Sequence, residues 1–137
     1  RLGEENVAQH RRASVIHDPE SPDYIVQKPR VADSGEGWRE MILGENEQLY
    51  FSLRRLEFET ECPQDTHGER FHVLALVDGD HVRVRSKRHP ERFYDMDYLD
   101  IICVPANMGE YVMENLGKEP VMVHKTMLRD GYQDVIL

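Results

Sequence analysis

Cysteine is scarce in this sequence of 137 residues, and long apolar runs are missing from it. The two cysteines, Cys62 and Cys103, are too few for a disulfide framework, so a reducing, cytoplasmic setting is the simpler expectation. Cys103 lies inside the apolar run Ile101–Val104 and is predicted to be a buried small hydrophobic side chain. Because no run of about 18 apolar residues exists and no signal-peptide pattern opens the chain, neither a transmembrane helix nor a membrane partner is expected.

Positive charge is also in short supply. Lysine and arginine number 17 against 26 aspartate and glutamate residues, which gives a net charge of -9. A polyanion is repelled by such a chain on average, so no nucleic acid partner is expected, although a local basic cluster can still hold one phosphate. The length fits a single domain with one modest core. The chain begins with Arg1 rather than Met, which indicates a processed or trimmed piece of a longer protein.

The N-terminal segment is polar and contains three prolines within the stretch HDPESPDYIVQKPRVADSGEG. Proline removes a backbone donor and biases its predecessor toward extended backbone, so residues 1–45 are predicted to form an extended arm or linker with an edge strand at Trp38–Leu43. Residues 46–137 are predicted to form the folded barrel. Three roles for the arm stay open: it wraps the barrel, it pairs with a second subunit in a homodimer, or it links to a missing N-terminal domain.

Apolar segments separated by turn residues follow the arm. Leu49–Phe58 is predicted as a strand with a bulge near Arg54 and Arg55, one of which then points inward, and a helix over 47–56 is the alternative. Cys62–Glu69 is predicted as a polar loop and Asp78–Asp80 as a tight turn. The remaining strands are predicted at Phe71–Val77, His81–Arg85, Ile101–Val104, Gly109–Glu114 and Pro120–Leu128. Their spacing indicates a β-sandwich or a closed barrel.

Two short motifs resemble those of cupins. The first is FHVLALVDG at Phe71–Gly79, and the second is VPANMGEY at Val104–Tyr111. Over residues 48–128 the chain is most similar to the C-terminal cupin domain of class I (type I) mannose-6-phosphate isomerases. The resemblance implies an all-β fold, a cupin-like double-stranded β-helix or jelly-roll barrel, preceded by the extended N-terminal arm.

The resemblance also implies a set of metal ligands. Cupins usually hold a metal inside the barrel, and the matching positions of this sequence are Asp65, His67, His72 and Glu110. Two histidines and two carboxylates are able to bind a divalent transition metal such as zinc, iron or manganese. His72 and Glu110 on the inner wall are also the candidates for acid–base catalysis. In the alternative, no metal binds, the histidines are hydrogen-bonded or exposed, and Glu110 faces solvent.

Basic and aromatic side chains are candidates for binding a sugar or a sugar phosphate. Arg83 and Arg85 belong to a basic stretch that extends to Arg92, and arginine binds phosphate or carboxylate groups through two hydrogen bonds. Tyr111 and Trp38 are candidates for stacking on a sugar ring. In the alternative, the basic stretch is a solvated hairpin face and the aromatic side chains pack in the core or at an interface.

The predicted function is that of a cupin domain in a mannose-6-phosphate isomerase-like protein of sugar-phosphate metabolism. In the full enzyme of that family, an aldose phosphate and a ketose phosphate are interconverted, with zinc polarising the carbonyl and a base moving a proton. The motifs of the family's catalytic domain have no match in this sequence, so the resemblance implies the non-catalytic companion domain. A non-enzymatic sugar-binding cupin and a dimerisation module are the alternatives.

Overall fold

The computed structural model describes residues 28–45 and 50–128, which form ten strands in two antiparallel sheets. The strands are β1 (Arg30–Gly35), β2 (Trp38–Gly44), β3 (Phe51–Phe58), β4 (Glu61–Asp65), β5 (His72–Asp78), β6 (His81–Ser86), β7 (Phe93–Asp97), β8 (Ile101–Val104), β9 (Glu110–Asn115) and β10 (Val121–Leu128). One sheet has the order β1-β2-β3-β10-β5-β8, and the other has the order β4-β9-β6-β7. A 3₁₀ turn at Ala106–Met108 connects β8 to β9. Nowhere in these two ranges is there a helix of the length and apolarity needed to cross a membrane.

The core lies between the two sheets because side chains alternate inward and outward along most strands. In β10, Val121 and Val123 are buried while the residues that follow them are partly exposed. In β9, Tyr111 and Met113 are fully buried in the same way. The all-β, cupin-like jelly-roll expected from the sequence is confirmed, and five predicted strands from Phe71 onward match β5, β6, β8, β9 and β10 to within one residue at each end.

Part of the predicted arm belongs to a sheet. β1 pairs with β2, so the strand predicted at Trp38–Leu43 lies between β1 and β3 and is not at the edge. The pattern gave no indication of β1 because all of its residues are exposed and show no apolar alternation. Residues 1–27, which carry the rest of the arm, lie outside the described residues, as do positions 46–49 and 129–137.

β3 runs straight through the position of the predicted bulge. Phe51–Phe58 pairs residue by residue with β10, and the irregularity opposite Arg54 belongs to the neighbouring strand, where the register of β2 shifts between Ile42 and Gly44. Ser52 and Arg54 face inward, whereas Leu53 is exposed on the outer surface. The bulge was predicted because polar side chains occupy the first half of the inward face, where apolar ones were expected. The two arginines do divide between the faces as predicted, and the alternative of a helix is wrong for the described residues 50–56.

Three other segments differ from their predictions. Cys62–Glu69, predicted as a loop, contains most of β4, whose inward face includes the buried Gln64. The turn at Asp78–Asp80 connects the two sheets rather than two paired strands, because β5 pairs with β8 and β10 while β6 pairs with β7 and β9. Cys103 lies with Ile101 on the outward face of β8, an edge strand of the six-stranded sheet, so it is exposed and is not the buried side chain that its apolar neighbours suggested.

Candidate functional site

A cavity of about 420 Å³ opens into the barrel and is lined mainly by charged and polar side chains. Both sheets contribute to its wall, with β1, β2, β3, β5 and β10 from the larger sheet and β4 and β9 from the smaller one. The lining residues are Ala32, Asp33, Trp38, Glu40, Arg54, Pro63, Gln64, Asp65, Thr66, His67, Arg70, His72, Lys87, Glu110, Lys125 and Met127.

Four side chains of this wall form one hydrogen-bonded network. Arg54 Nη1 donates to Glu40 Oε2 at 2.6 Å, and Lys125 Nζ donates to Glu40 Oε1 at 3.1 Å. Gln64 joins them, because its Nε2 donates to Glu40 Oε1 at 3.0 Å and its Oε1 accepts from Lys125 Nζ. Glu40, Gln64 and Lys125 are all buried. A buried carboxylate is thus held by two cations and one amide, which together offset the cost of removing it from water.

The strand register explains why these charges meet. Lys125 stands on the inward parity of β10, between the buried Val123 and Met127, and it lies directly opposite Arg54 of β3. Two like charges directly opposite each other destabilise a sheet. Glu40 enters from β2, the neighbour of β3 on its other side, and it bonds both cations. The three strands therefore bring together a charge arrangement that no single strand contains.

Burial and pairing act against each other on the pKa values of this network. Burial raises the pKa of Glu40, but Lys125, Arg54 and Gln64 together outweigh it, so the pKa lies below its usual 4.5. Burial lowers the pKa of Lys125 from its usual 10.5, and Glu40 opposes that shift. Because Lys125 Nζ lies between two oxygen acceptors, the contacts match an ammonium paired with a carboxylate.

His72 lies on the same wall and is bonded to a buried tyrosine. Its Nδ1 is 2.6 Å from the Tyr111 hydroxyl, and the two rings meet edge-on with their centroids 5.8 Å apart. Burial lowers the pKa of His72 from 6.5 to about 3, and nearby cations, with Lys125 the strongest, outweigh the opposing effect of Glu40. Burial also raises the pKa of Tyr111 well above 10. At neutral pH the imidazole is therefore uncharged and the phenol keeps its proton.

The four predicted metal ligands all line the cavity, but they do not converge. Within residues 28–45 and 50–128, no group of three or more His, Cys, Asp and Glu side chains is close enough to hold a metal. Asp65 and His67 do lie together, with Asp65 Oδ2 3.3 Å from His67 Nδ1, yet the His67 side chain is exposed. His72 is engaged with Tyr111, and Glu110 has the outward parity of β9 rather than the expected place on the inner wall. This donor set does not fit a metal held inside the barrel.

The three predicted substrate-binding residues lie on opposite faces of the four-stranded sheet. Tyr111 is fully buried in the core, so its ring is out of reach of a sugar. Arg83 and Arg85 lie on the other face, because the even-numbered positions of β6, such as Val84, point inward. Each of these arginines pairs with a carboxylate on a neighbouring strand, Asp95 for Arg83 at 2.7 Å and Glu114 for Arg85 at 2.5 Å. The structure brings none of the three into the open cavity.

Trp38 is the aromatic candidate that does line the cavity, and it is the single tryptophan of the chain. Its half-buried indole lies against β1 at Gly35, where a Cβ would come within 2.3 Å of the indole Nε1. A larger residue at position 35 would displace the ring. The absence of a side chain there therefore lets the indole form part of the wall.

Sequence reasoning did not identify Glu40, Gln64 and Lys125 as site residues. A signal existed for Lys125, which stands on the apolar parity of β10, because a lysine is almost never fully buried unless it is paired. Gln64 carried no such signal, since its segment looked like a loop. Glu40 lies in a stretch where Met41 and Ile42 are both buried, so its own inward direction is not readable from alternation.

Comparison with known proteins bears on the fold. No family model and no curated protein matches this sequence. Among solved structures, the cupin domain of Cnp3 from Schizosaccharomyces pombe has a TM-score of 0.57 at 16% identity, covering 84% of this chain and 79% of that one. KdgF from a Halomonas species has a TM-score of 0.55 at 14% identity, covering 79% and 93% of the two chains. An RmlC-like cupin from Shewanella frigidimarina has a TM-score of 0.56 at 14% identity, covering 78% and 89%.

Proposed function

We propose that this cupin-fold chain binds a sugar phosphate in its barrel cavity, as the non-catalytic companion domain of a mannose-6-phosphate isomerase-like protein. The motifs at Phe71–Gly79 and Val104–Tyr111 support the family, and the polar cavity supports the ligand class. In such a protein this domain supplies a sugar-facing wall, while the aldose–ketose chemistry takes place elsewhere.

The charge distribution around His72 is the observation that carries the proposal. Lys125, Arg70 and Arg54 all lower the pKa of this ring, and the effect of Lys125 is larger than the opposing effect of Glu40. A local group of cations can attract an anionic group, although the cavity wall as a whole holds as many carboxylates as cations and the chain is acidic. A phosphate ester placed there accepts charge-assisted hydrogen bonds, which are stronger than neutral ones.

The remainder of the wall suits a polyhydroxylated molecule. Carboxylates from Asp33, Asp65 and Glu110 stand among the cations, and Gln64 adds an amide. A sugar hydroxyl is both a donor and an acceptor, so a wall in which the two kinds of group alternate can bond several hydroxyls at once. Trp38 adds a flat apolar surface of the kind that packs against a sugar ring.

The positions of the two catalytic candidates favour a binding role over turnover. Glu110 is exposed on the outward parity of β9, so it does not face the interior across from His72. His72 is neutral with a pKa of about 3, far below the range in which a side chain serves as an efficient base at neutral pH. We therefore expect no isomerisation of mannose 6-phosphate by this chain, with or without added zinc.

Calorimetric titration with mannose 6-phosphate, fructose 6-phosphate, mannose and inorganic phosphate tests the proposal, with Trp38 fluorescence as a second readout. The two sugar phosphates are expected to bind saturably, and mannose at least about tenfold more weakly because it lacks the charged group. Lys87→Met removes an exposed cation of the wall and is expected to weaken binding. Arg83→Met, which removes the same charge from the outer sheet face, is the matched control and leaves the affinity unchanged.

Two results would contradict the proposal. One is the absence of both heat and fluorescence change with all four compounds. The other is turnover of mannose 6-phosphate, which would make the chain an enzyme in its own right. Turnover that survives Glu110→Gln and His72→Ala would in addition exclude both residues as its active site.

A further inference from the structure

We infer that His72 is a neutral hydrogen-bond donor in the cavity, held in its Nε2–H form by the Tyr111 hydroxyl, and that it bonds an oxygen atom of the ligand rather than a metal. The part that concerns the ligand rests on the proposed function. The part that concerns the proton stands on the geometry of the two side chains alone.

The Tyr111 hydroxyl decides which ring nitrogen carries the proton. A phenol has one hydrogen to donate, and in a fully buried side chain that hydrogen needs an acceptor. Within the part of the chain that the structure describes, the hydroxyl's hydrogen-bond partner is His72 Nδ1, at 2.6 Å. If Nδ1 carried the proton, the phenol hydrogen would be left without an acceptor. Tyr111 therefore donates, Nδ1 accepts, and the proton of the neutral ring is on Nε2.

The resulting N–H group is available to the cavity. The His72 ring lines the cavity wall. Among the described residues, no hydrogen bond to its Nε2 is found, and Nε2 is not one of the buried polar atoms that lack a partner. The strand geometry agrees, since His72 stands on the inward parity of β5 together with the buried Leu74 and Leu76.

The donor character of Nε2 selects an oxygen ligand. Burial and Lys125, whose effect on the ring is larger than that of Glu40, both disfavour an added proton on His72. A metal would also need a nitrogen with a free lone pair, whereas Nδ1 is occupied by Tyr111 and Nε2 is protonated. An N–H donor on the cavity wall suits an acceptor oxygen of a phosphate ester or of the sugar attached to it.

Long-range ¹H–¹⁵N spectra of the ¹⁵N-labelled chain test the position of the proton without any ligand. We expect the His72 ring to show a protonated Nε2 and an unprotonated Nδ1 at pH 7, with the signal identified by its loss in His72→Gln. Tyr111→Phe removes the phenol donor and is expected to give a mixture of the two neutral forms. A proton on Nδ1 in the parent chain would overturn the inference, whatever the ligand experiments show.

Paired substitutions test the bond to the ligand, with mannose 6-phosphate and inorganic phosphate as probes. The amide of His72→Gln keeps a donor near the place of Nε2, and its affinity is expected to stay within about threefold of the parent's. His72→Leu removes the donor, and its affinity is expected to fall about tenfold. Equal affinities of His72→Leu and the parent would overturn the inference while leaving sugar-phosphate binding intact.

A zinc titration separates donor from metal ligand. We expect stoichiometric zinc to leave the His72 ring signals unchanged. Zinc that removes the Nε2 proton would overturn the inference and restore His72 to the metal set. If the parent binds neither probe, the proposed function fails, and the ring spectra still decide where the proton of His72 lies.

Discussion

Lys125 Nζ lies 3.1 Å from Glu40 Oε1, and only 5% and 6% of the two side chains are exposed. This pair joins β10 to β2 across the intervening β3. In this part of the barrel interior, a buried ion pair takes the place of apolar packing. The loss of Glu40 leaves Lys125 without a counter-charge, whereas the loss of Lys125 leaves Glu40 paired with Arg54 alone.

Glu40→Leu is expected to lower the free energy of unfolding by about 3–5 kcal/mol, because it leaves Lys125 buried without its counter-charge. The double variant Glu40→Leu/Lys125→Leu is expected to cost less than the sum of the two single changes, since the buried ammonium is removed together with its counter-charge and Arg54 still has Glu45 at 3.5 Å. Urea denaturation measures these values. Arg39→Leu is the control, because it breaks a more exposed ion pair with Glu57 and is expected to cost about 1 kcal/mol or less. Equal losses in Glu40→Leu and Arg39→Leu would contradict the assignment of a buried pair.

Acid is expected to destabilise the fold below pH 6.5. His72 takes up a proton near pH 6.5 when unfolded, but in the fold its pKa is about 3. Between these values the unfolded state binds more protons, so stability is lost as the pH falls, by up to about 1.4 kcal/mol per pH unit. The pKa of Glu40 is also lowered, so its contribution is present above pH 4.5 and is lost as the pH falls through its folded pKa.

The matched variant for this pH profile is His72→Gln. Its free energy of unfolding, measured by urea denaturation from pH 7 to pH 4.5, is expected to depend much less on pH than that of the parent. A parent profile as flat as that of His72→Gln over this range would show that the histidine titrates normally in the fold.

Gly79→Ala is expected to destabilise the chain by about 2 kcal/mol or more, through backbone strain and overpacking together. Gly79 has a φ of 130°, and a Cβ at this position would lie 2.4 Å from Val121 Cγ1. Gly44→Ala is the control, because no atom lies within 4 Å of its added Cβ. Thermal denaturation of both variants checks the difference, and similar melting temperatures would contradict the crowded corner between β5 and β6.

The two cysteines are expected to differ in reactivity. Cys62 is fully buried, and burial raises the pKa of its thiol to about 12, whereas Cys103 is exposed on the edge strand β8. The thiolate is the reactive form, so a thiol reagent at pH 8 is expected to modify one cysteine in the folded chain and both in denaturant. Cys103→Ser should abolish the reaction of the folded chain, and Cys62→Ser should leave it unchanged. The opposite result would place β8 in the interior.

More of the fold than of the candidate site could be predicted from the sequence. Alternation made Tyr111 and Met113 readable as inward residues of β9, and Pro105 correctly marks the end of β8. The same rule failed for β3, because Ser52 and Arg54 are polar residues on an inward face. The local sequence pattern predicts where apolar side chains are buried. It does not predict polar side chains that are buried because they contact partners on distant strands.

The site candidates show the same limit. Motif positions led to His72, which does line the cavity, and to Glu110, which does so from an outward-facing position. The basic stretch led to Arg83 and Arg85, which are neutralised by their own neighbours. Clustering of charge in sequence is a weak guide here, since alternate residues of a strand share one face, and Arg83 and Arg85 both lie on the face of β6 that is turned away from the core.

Apolar alternation and the turn residues between strands sufficed to indicate an all-β sandwich or barrel, and the resemblance of two short motifs implied the cupin type. The composition of the site was settled only by the order of strands, which placed β2, β3 and β10 side by side. Glu40 and Lys125 are 85 positions apart, and a carboxylate and an ammonium tolerate burial only when they meet. This ion pair exists only in the assembled sheets, because on an isolated strand each charged side chain would remain in water.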